Sequence, residues 1–269
     1  MQPRLHAICL AALTAAGLPA CSTLPDGRAW GEDATVRPGW RSVAASAATS
    51  VASPAFWLPL AGAALFQIDG WDRKVSSWAR RRTPVFGSEQ NAVEWSDRLR
   101  SASAFAWAAT AVATPGGPDA AGWLEDKARG ALVGLAAIGA TDEESALLKS
   151  AAARERPNGQ DTQSMPSSHA SRSAVLTELG RRDLEWPDMS DGTRWALDSG
   201  LTALTLGTAW ARVEAGFHYP SDTLVGMVIG NFNGAFFNDA FLGRPRRAQT
   251  ALTIEPQRGG ATLEVRISF

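Results

Sequence analysis

Lys149-Ser150-Ala151-Ala152-Ala153-Arg154-Glu155-Arg156-Pro157, Ser164-Met165-Pro166-Ser167-Ser168-His169 and Arg212-Val213-Glu214-Ala215-Gly216-Phe217-His218-Tyr219-Pro220-Ser221-Asp222 are the stretches in which cations, serines and histidines stand together. Beyond residues 1–20 the chain has only two histidines, His169 and His218, and both fall here. Ser167, Ser168 and His169 directly precede the apolar positions of an expected helix over 168–182. Serine caps helices there, and free backbone N–H groups face outward to cradle an anion. Pro220 suits the first turn of a second helix, 221–240, so that His218 stands just before it and Asp222 about one turn later. A carboxylate so placed is expected to hold one imidazole N–H, fixing the tautomer and leaving the other nitrogen as a nucleophile.

Lys149 and Arg156 are seven residues apart, about two helical turns, and are expected to converge where helix gives way to loop. Arg212 arrives from another segment, and a guanidinium can grip two oxygens of a phosphate at once. A phosphoryl group in transfer spreads negative charge over its outer oxygens, so fixed cations suit it.

The three stretches resemble the signature motifs of the type 2 phosphatidic acid phosphatase and vanadium haloperoxidase superfamily, Lys-x6-Arg-Pro, Pro-Ser-Gly-His and Ser-Arg-x5-His-x3-Asp. Lys149, Arg156, Pro157, Pro166, Ser167, His169, Arg212, His218 and Asp222 match in identity, order and spacing. Ser168 stands in the place of the glycine and Ala211 in that of the leading serine. Arg154 has no place in the pattern and is read as a solvated surface charge.

The resemblance implies that His218 attacks phosphorus, Asp222 orients it and His169 protonates the leaving alkoxide. It also implies that Lys149, Arg156, Arg212, Ser167 and the Ser168 N–H hold the phosphate oxygens. Water then hydrolyses a phosphohistidine. One histidine must be neutral and the other protonated, so a bell-shaped pH profile is expected. No metal and no cofactor is expected, because three side-chain cations take the charge-neutralising role. Vanadate enters only if the chain is a haloperoxidase. The substrate class is a phosphate monoester or pyrophosphate, lipid or small and soluble. Phosphotransfer to another hydroxyl, haloperoxidase chemistry and a non-catalytic envelope lipoprotein stay open as alternatives.

The rest of the chain sets the frame. With 269 residues, 45% hydrophobic and 20% charged, it fits one large domain. The net charge of −1, or −2 without residues 1–20, whose one formally charged side chain is Arg4, argues against nucleic acid as a partner. Arg4, the apolar run 7–16 and Leu18-Pro19-Ala20-Cys21 resemble a lipoprotein signal peptide, with Cys21 as the lipidated residue. Its partner is then a membrane, reached through the lipid. Ser22, at the next position, directs it by resemblance to the periplasmic side of the outer membrane.

Residues 21–41 lack apolar periodicity and read as a tether. Further helices are expected over 92–114, 121–140, 142–154 and 193–212, which makes 42–243 an all-α bundle of the type 2 phosphatidic acid phosphatase kind. The uncharged runs 130–141, 199–211 and 223–238 fall short of the roughly 20 apolar residues a membrane span needs, which leaves 42–68 and 101–118 as candidates for embedding. Leu252 and Ile254, then Leu263, Val265, Ile267 and Phe269, alternate with polar residues around Gly259-Gly260. A short C-terminal β-hairpin is therefore expected within 244–269.

Overall fold

The computed structural model describes residues 29–187, 189–243, 250–257 and 260–267, the last two through their backbone. Residues 1–20, expected as a signal peptide, and Cys21 lie outside them. The helices are α1 (Trp40–Ala52), α2 (Pro54–Leu65), α3 (Trp71–Arg82), α4 (Glu89–Ala113), α5 (Ala120–Ala152), α6 (Ser168–Asp183), α7 (Asp191–Glu214) and α8 (Pro220–Phe241). A single 3-10 turn, Ile68–Gly70, joins α2 to α3.

Local chemistry starts these helices where polar side chains can take orphaned N–H groups. The side chains of Ser88, Asp119, Ser167 and Ser190 accept from Asn91, Gly122, Ala170 and Thr193 respectively. Prolines occupy the first turns of α2 and α8, where no N–H is missed. One helix is longer than expected. α5 runs unbroken through Thr141 and Asp142, where the Thr141 hydroxyl bonds the Ala137 carbonyl at 2.8 Å and also accepts from Asn233 at 3.2 Å. α3 lies outside the helices expected from the sequence, although Trp71, Val75, Trp78 and Ala79 fall at helical spacing among its arginines.

α8 is the axis of the bundle, packed against α6, α2, α5 and α1, while α4 closes the far side of α6 and α7. Closeness of α6 and α8 is set by Gly226, Gly230 and Gly234, three glycines one turn apart. A Cβ on Gly226 would lie 2.6 Å from the Ser167 carbonyl oxygen, and one on Gly230 2.2 Å from that of Ser171. Ala170 and Ala174 complete the contact with Ala209 and Met227. Hydroxyls stitch helices that small residues bring together: Ser103 to Ser173 at 2.7 Å, Ser145 to Ser171 at 2.9 Å and Thr177 to Thr205 at 2.6 Å. This packing fixes the N-termini of α6 and α8 side by side.

The expected tether is corrected from residue 29 onward. Trp30 is 2% exposed, packs with Trp186 and Leu242, and donates its backbone N–H to the Pro115 carbonyl at 2.9 Å. Lys127 stands 5.0 Å from its ring centre, pulled down to about 8 by burial. Lone tryptophans carry no periodicity, so the segment's sequence concealed the docking. Among the described residues no single helix is long and apolar enough to cross a membrane, 101–118 included. α1 and α2, bent by 49° at their junction, meet that length and composition only as a pair.

Candidate active site

The candidate site, at one end of the bundle, is assembled from α5, the loop after it, and the starts of α6 and α8. Lys149 lies in the last turn of α5, and Ala153, with φ 43°, turns the chain out of the helix. Residues 154–166 then cross the bundle end. Arg156 N–H donates to the Asp161 carbonyl at 2.9 Å and Ser164 N–H to that of Arg154 at 2.9 Å. α7 delivers Arg212 and stops; Gly216, at φ 72°, reverses the chain into Phe217 and His218. The two loops are tied by Asn158 N–H to the Gly216 carbonyl at 3.1 Å, and Ser167 N–H reaches the Asp222 carbonyl at 3.0 Å.

His218 is 2% exposed, and its Nδ1 donates to the Ser164 backbone carbonyl. In the neutral ring Nε2 is thereby left with its lone pair free. Burial, with Arg212 and Lys149 nearby, holds this ring well below the ordinary histidine range, so it is neutral.

The expected contact of Asp222 with that ring is not made. One carboxylate oxygen of Asp222 accepts from Arg154, the other from Ser164 Oγ and from Tyr219 N–H at 2.8 Å. Asp222 therefore positions His218 indirectly, by holding the residue whose carbonyl holds the ring. Arg154 is correspondingly misread as a surface charge. It also donates to Ser221 Oγ at 2.9 Å and Asp72 Oδ2 at 2.7 Å, with its guanidinium 4.2 Å from the centre of the Tyr219 ring. Two carboxylates and one hydroxyl converging on one arginine is a three-dimensional fact that spacing does not carry.

The three expected phosphate-binding cations are brought together. Lys149 Nζ donates to the Gln163 carbonyl at 2.7 Å and is pulled down to about 8 by burial and then by Arg156. Arg156 pairs with Asp161 at 2.6 Å, its guanidinium 5.0 Å from the Phe217 ring centre. Arg212 lies 4.1 Å from the same ring centre and is pulled down to about 10 by burial and then by Arg156. Its NH1 donates to Ser96 Oγ at 3.4 Å, and its buried Nε has no hydrogen-bond partner. Among the described residues Arg212 has no carboxylate within ion-pair distance. Cations that depress one another across a shared space, with unspent donors, are arranged for an anion.

Ser167 caps α6 and is fully buried, and Ser168 is the first residue of the helix, where backbone N–H groups have no intrahelical acceptor. His169 follows, pulled down to about 4 by burial and by Arg212. Its Nε2 lies 2.9 Å from Asp97 Oδ1 of α4. No sequence signal marks Asp97, 72 residues away. A cleft of about 470 Å³ lies alongside, lined by Arg73, Arg154, Arg156, Asn158 and Tyr219 among others. Among the described residues no group of three His, Cys, Asp or Glu is placed to hold a metal ion.

The sequence model described as the PAP2 superfamily matches residues 127–244. Among solved structures, the chain is similar to the crystal structure described as the first transmembrane PAP2 type phosphatidylglycerolphosphate phosphatase, from Bacillus subtilis. The TM-score is 0.51 at 17% identity, over 68% of this chain and 92% of that one. No curated protein matches. The matched fold accounts for the helical architecture, and the matched segment contains every motif side chain of the site. The similarity to the PAP2 superfamily thus spans residues 127–244, the part of the chain that carries the three motifs.

Proposed function

We propose that the protein is a phosphatase that releases inorganic phosphate from a lipid phosphate or a related monoester or pyrophosphate, through a phosphohistidine on His218. The observation that carries this reading is the gathering of Lys149, Arg156 and Arg212 around a neutral, buried His218 whose Nδ1 is already spent. In the first step His218 Nε2 bonds to phosphorus as the ester P–O bond breaks, and the leaving oxygen takes a proton from His169. In the second, His169 accepts a proton from water, whose oxygen bonds to phosphorus as the P–N bond breaks. The cations, with Ser167 and the Ser168 N–H, stabilise the charge on the outer oxygens throughout.

The polar cleft shares Arg156 with the cradle and gives room for the remainder of the substrate. A membrane location belongs to the same reading. Trp57, Leu58, Leu65 and Ile68 are exposed on and just after α2, at the side of the bundle where the apolar pair α1–α2 lies. Lipidation at Cys21 and a periplasmic, outer-membrane address extend it. A C-terminal hairpin within 244–269 is part of the proposal on the alternation of apolar and polar residues in its sequence.

The purified protein is expected to hydrolyse an aryl phosphate in the presence of a chelator, and His218→Ala to lower kcat by at least about 10³-fold. Wild-type protein that releases no phosphate from any ester offered, or activity that survives His218→Ala, would sink the reading. Activity lost to the chelator and restored by a divalent ion would sink the metal-independent mechanism. Screening lipid phosphates against soluble ones by the same phosphate release then sorts the substrate.

A further inference from the structure

The two histidines are held by acceptors of opposite kind. His218 gives its Nδ1 proton to a neutral carbonyl, that of Ser164. His169 presents Nε2 to a carboxylate, that of Asp97, at 2.9 Å. A carbonyl fixes a tautomer without adding charge, whereas a carboxylate fixes orientation and also favours the protonated ring. Asp222, the acid that sequence spacing assigns to a histidine, is committed to Arg154, Ser164 and Tyr219.

We propose that Asp97 is the positioning residue of His169, holding its imidazole across the α4–α6 contact and supplying the negative charge that makes it a general acid. The proposal rests on the phosphatase reading. α4 supports the site at two successive residues, since Ser96 takes the Arg212 guanidinium at 3.4 Å and Asp97 takes His169.

The charges around the ring leave Asp97 a distinct task. From α4 Arg100 stands 3.7 Å from the Asp97 carboxylate, and from α7 Arg212 faces the ring; both oppose an imidazolium. Asp142 of α5 and Arg172 of α6 pair with each other at 3.0 Å, within the influence of Arg100. Burial and Arg212 lower His169, and Asp97 opposes them. Asp97 is itself lowered, first through its hydrogen bond to His169, and so stays ionised. His169 is then neutral at pH 7, and the negative charge of a bound phosphate draws in the proton. That proton passes to the leaving oxygen as the P–O bond breaks. The neutral ring recovers one from the attacking water as the P–N bond breaks. Asp97 remains a carboxylate throughout both steps.

Asp97→Asn keeps the shape and a hydrogen-bonding oxygen while removing the charge. On an alkyl phosphate, whose leaving oxygen needs a proton, kcat is expected to fall about 100-fold with KM changed less than about 3-fold. The high-pH limb of the kcat profile should move down by about one pH unit. On 4-nitrophenyl phosphate, whose leaving group departs unprotonated, the loss should stay under about 3-fold. Asp97→Glu should recover part of the alkyl phosphate activity. Independently of turnover, NMR titration of the His169 ring with inorganic phosphate bound should give a lower pKa in Asp97→Asn than in wild type. Equal losses on both esters with an unmoved pH limb, or a His169 titration unchanged by Asp97→Asn, would overturn the proposal. Wild-type protein that hydrolyses neither ester would instead overturn the phosphatase reading on which it rests.

Discussion

Arg154→Met is expected to destabilise the protein by about 3–5 kcal/mol and to remove most of its activity. The side chain lost bridges two buried carboxylates, Asp222, fully buried, and Asp72, 3% exposed. Asp72 in turn accepts the backbone N–H of Ser221 at 2.9 Å and its hydroxyl at 2.5 Å, so the arginine also braces the first turn of α8. Orphaning a buried charge costs more than an ideal pair gains, because the remaining carboxylate has lost water and receives nothing in return.

The pH dependence identifies the cause. Burial already raises Asp222 above the ordinary carboxylate range, with Ser164 and Arg154 holding it down. In Arg154→Met it rises further. A carboxyl whose native pKa exceeds its unfolded one binds protons more tightly in the folded state. Its contribution is therefore most favourable at low pH and is lost as pH rises through the native value. The deficit of the variant, measured by urea unfolding, should thus be smaller near pH 4 than near pH 8. Adding Asp72→Asn should recover part of the loss at the higher pH, since one of the two orphaned charges is gone. A deficit independent of pH and unrelieved by Asp72→Asn would mean that packing on Tyr219, rather than charge, is what Arg154 supplies.

Gly230→Ala should cost about 3 kcal/mol or more, the upper end of what overpacking a core exacts. The new Cβ would sit 2.2 Å from the Ser171 carbonyl oxygen, 2.7 Å from Ala174 Cβ and 2.7 Å from the Val175 nitrogen. All three belong to the rigid interior of α6, so relief requires the helices to separate. Separation carries Ser167, Ser168 and His169 away from His218, and phosphate release is expected to fall with stability. Gly139, inside α5 with nothing within 4 Å of its Cβ position, provides the control. Gly139→Ala should leave activity intact and raise stability by about 0.5–1 kcal/mol through the better helix propensity of alanine. Thermal and urea unfolding of the two variants, side by side, check the contrast. Equal behaviour would show that α6 and α8 can part without harm.

What the sequence made legible was local. His169 beside its capping serines, Pro220 at the start of α8, and the spacing of Lys149 from Arg156 each express chemistry within a few residues. The structure keeps these features and joins them through the glycine contact of α6 with α8. Legibility fails where partners are distant. The i,i+4 relation of His218 to Asp222 places an acid near a base, but Arg154, Ser164 and Tyr219 N–H compete for that acid and take it. Asp97 and Asp72 come from helices whose own periodicity says nothing about the site. Likewise Trp30 reads as part of a polar linker until the groove against Gly130 and Trp186 is seen.

The central claim, a covalent phosphoryl group on His218 Nε2, is tested most directly by trapping it. Protein mixed with excess substrate, quenched in alkali within milliseconds and digested, should yield a peptide carrying one phosphate on His218, stable to base and labile to acid. The signal should be absent in His218→Ala and should accumulate when the second step is slowed. Phosphate found on another residue, or full turnover with no phosphopeptide at any quench time while His218→Ala stays active, would contradict it.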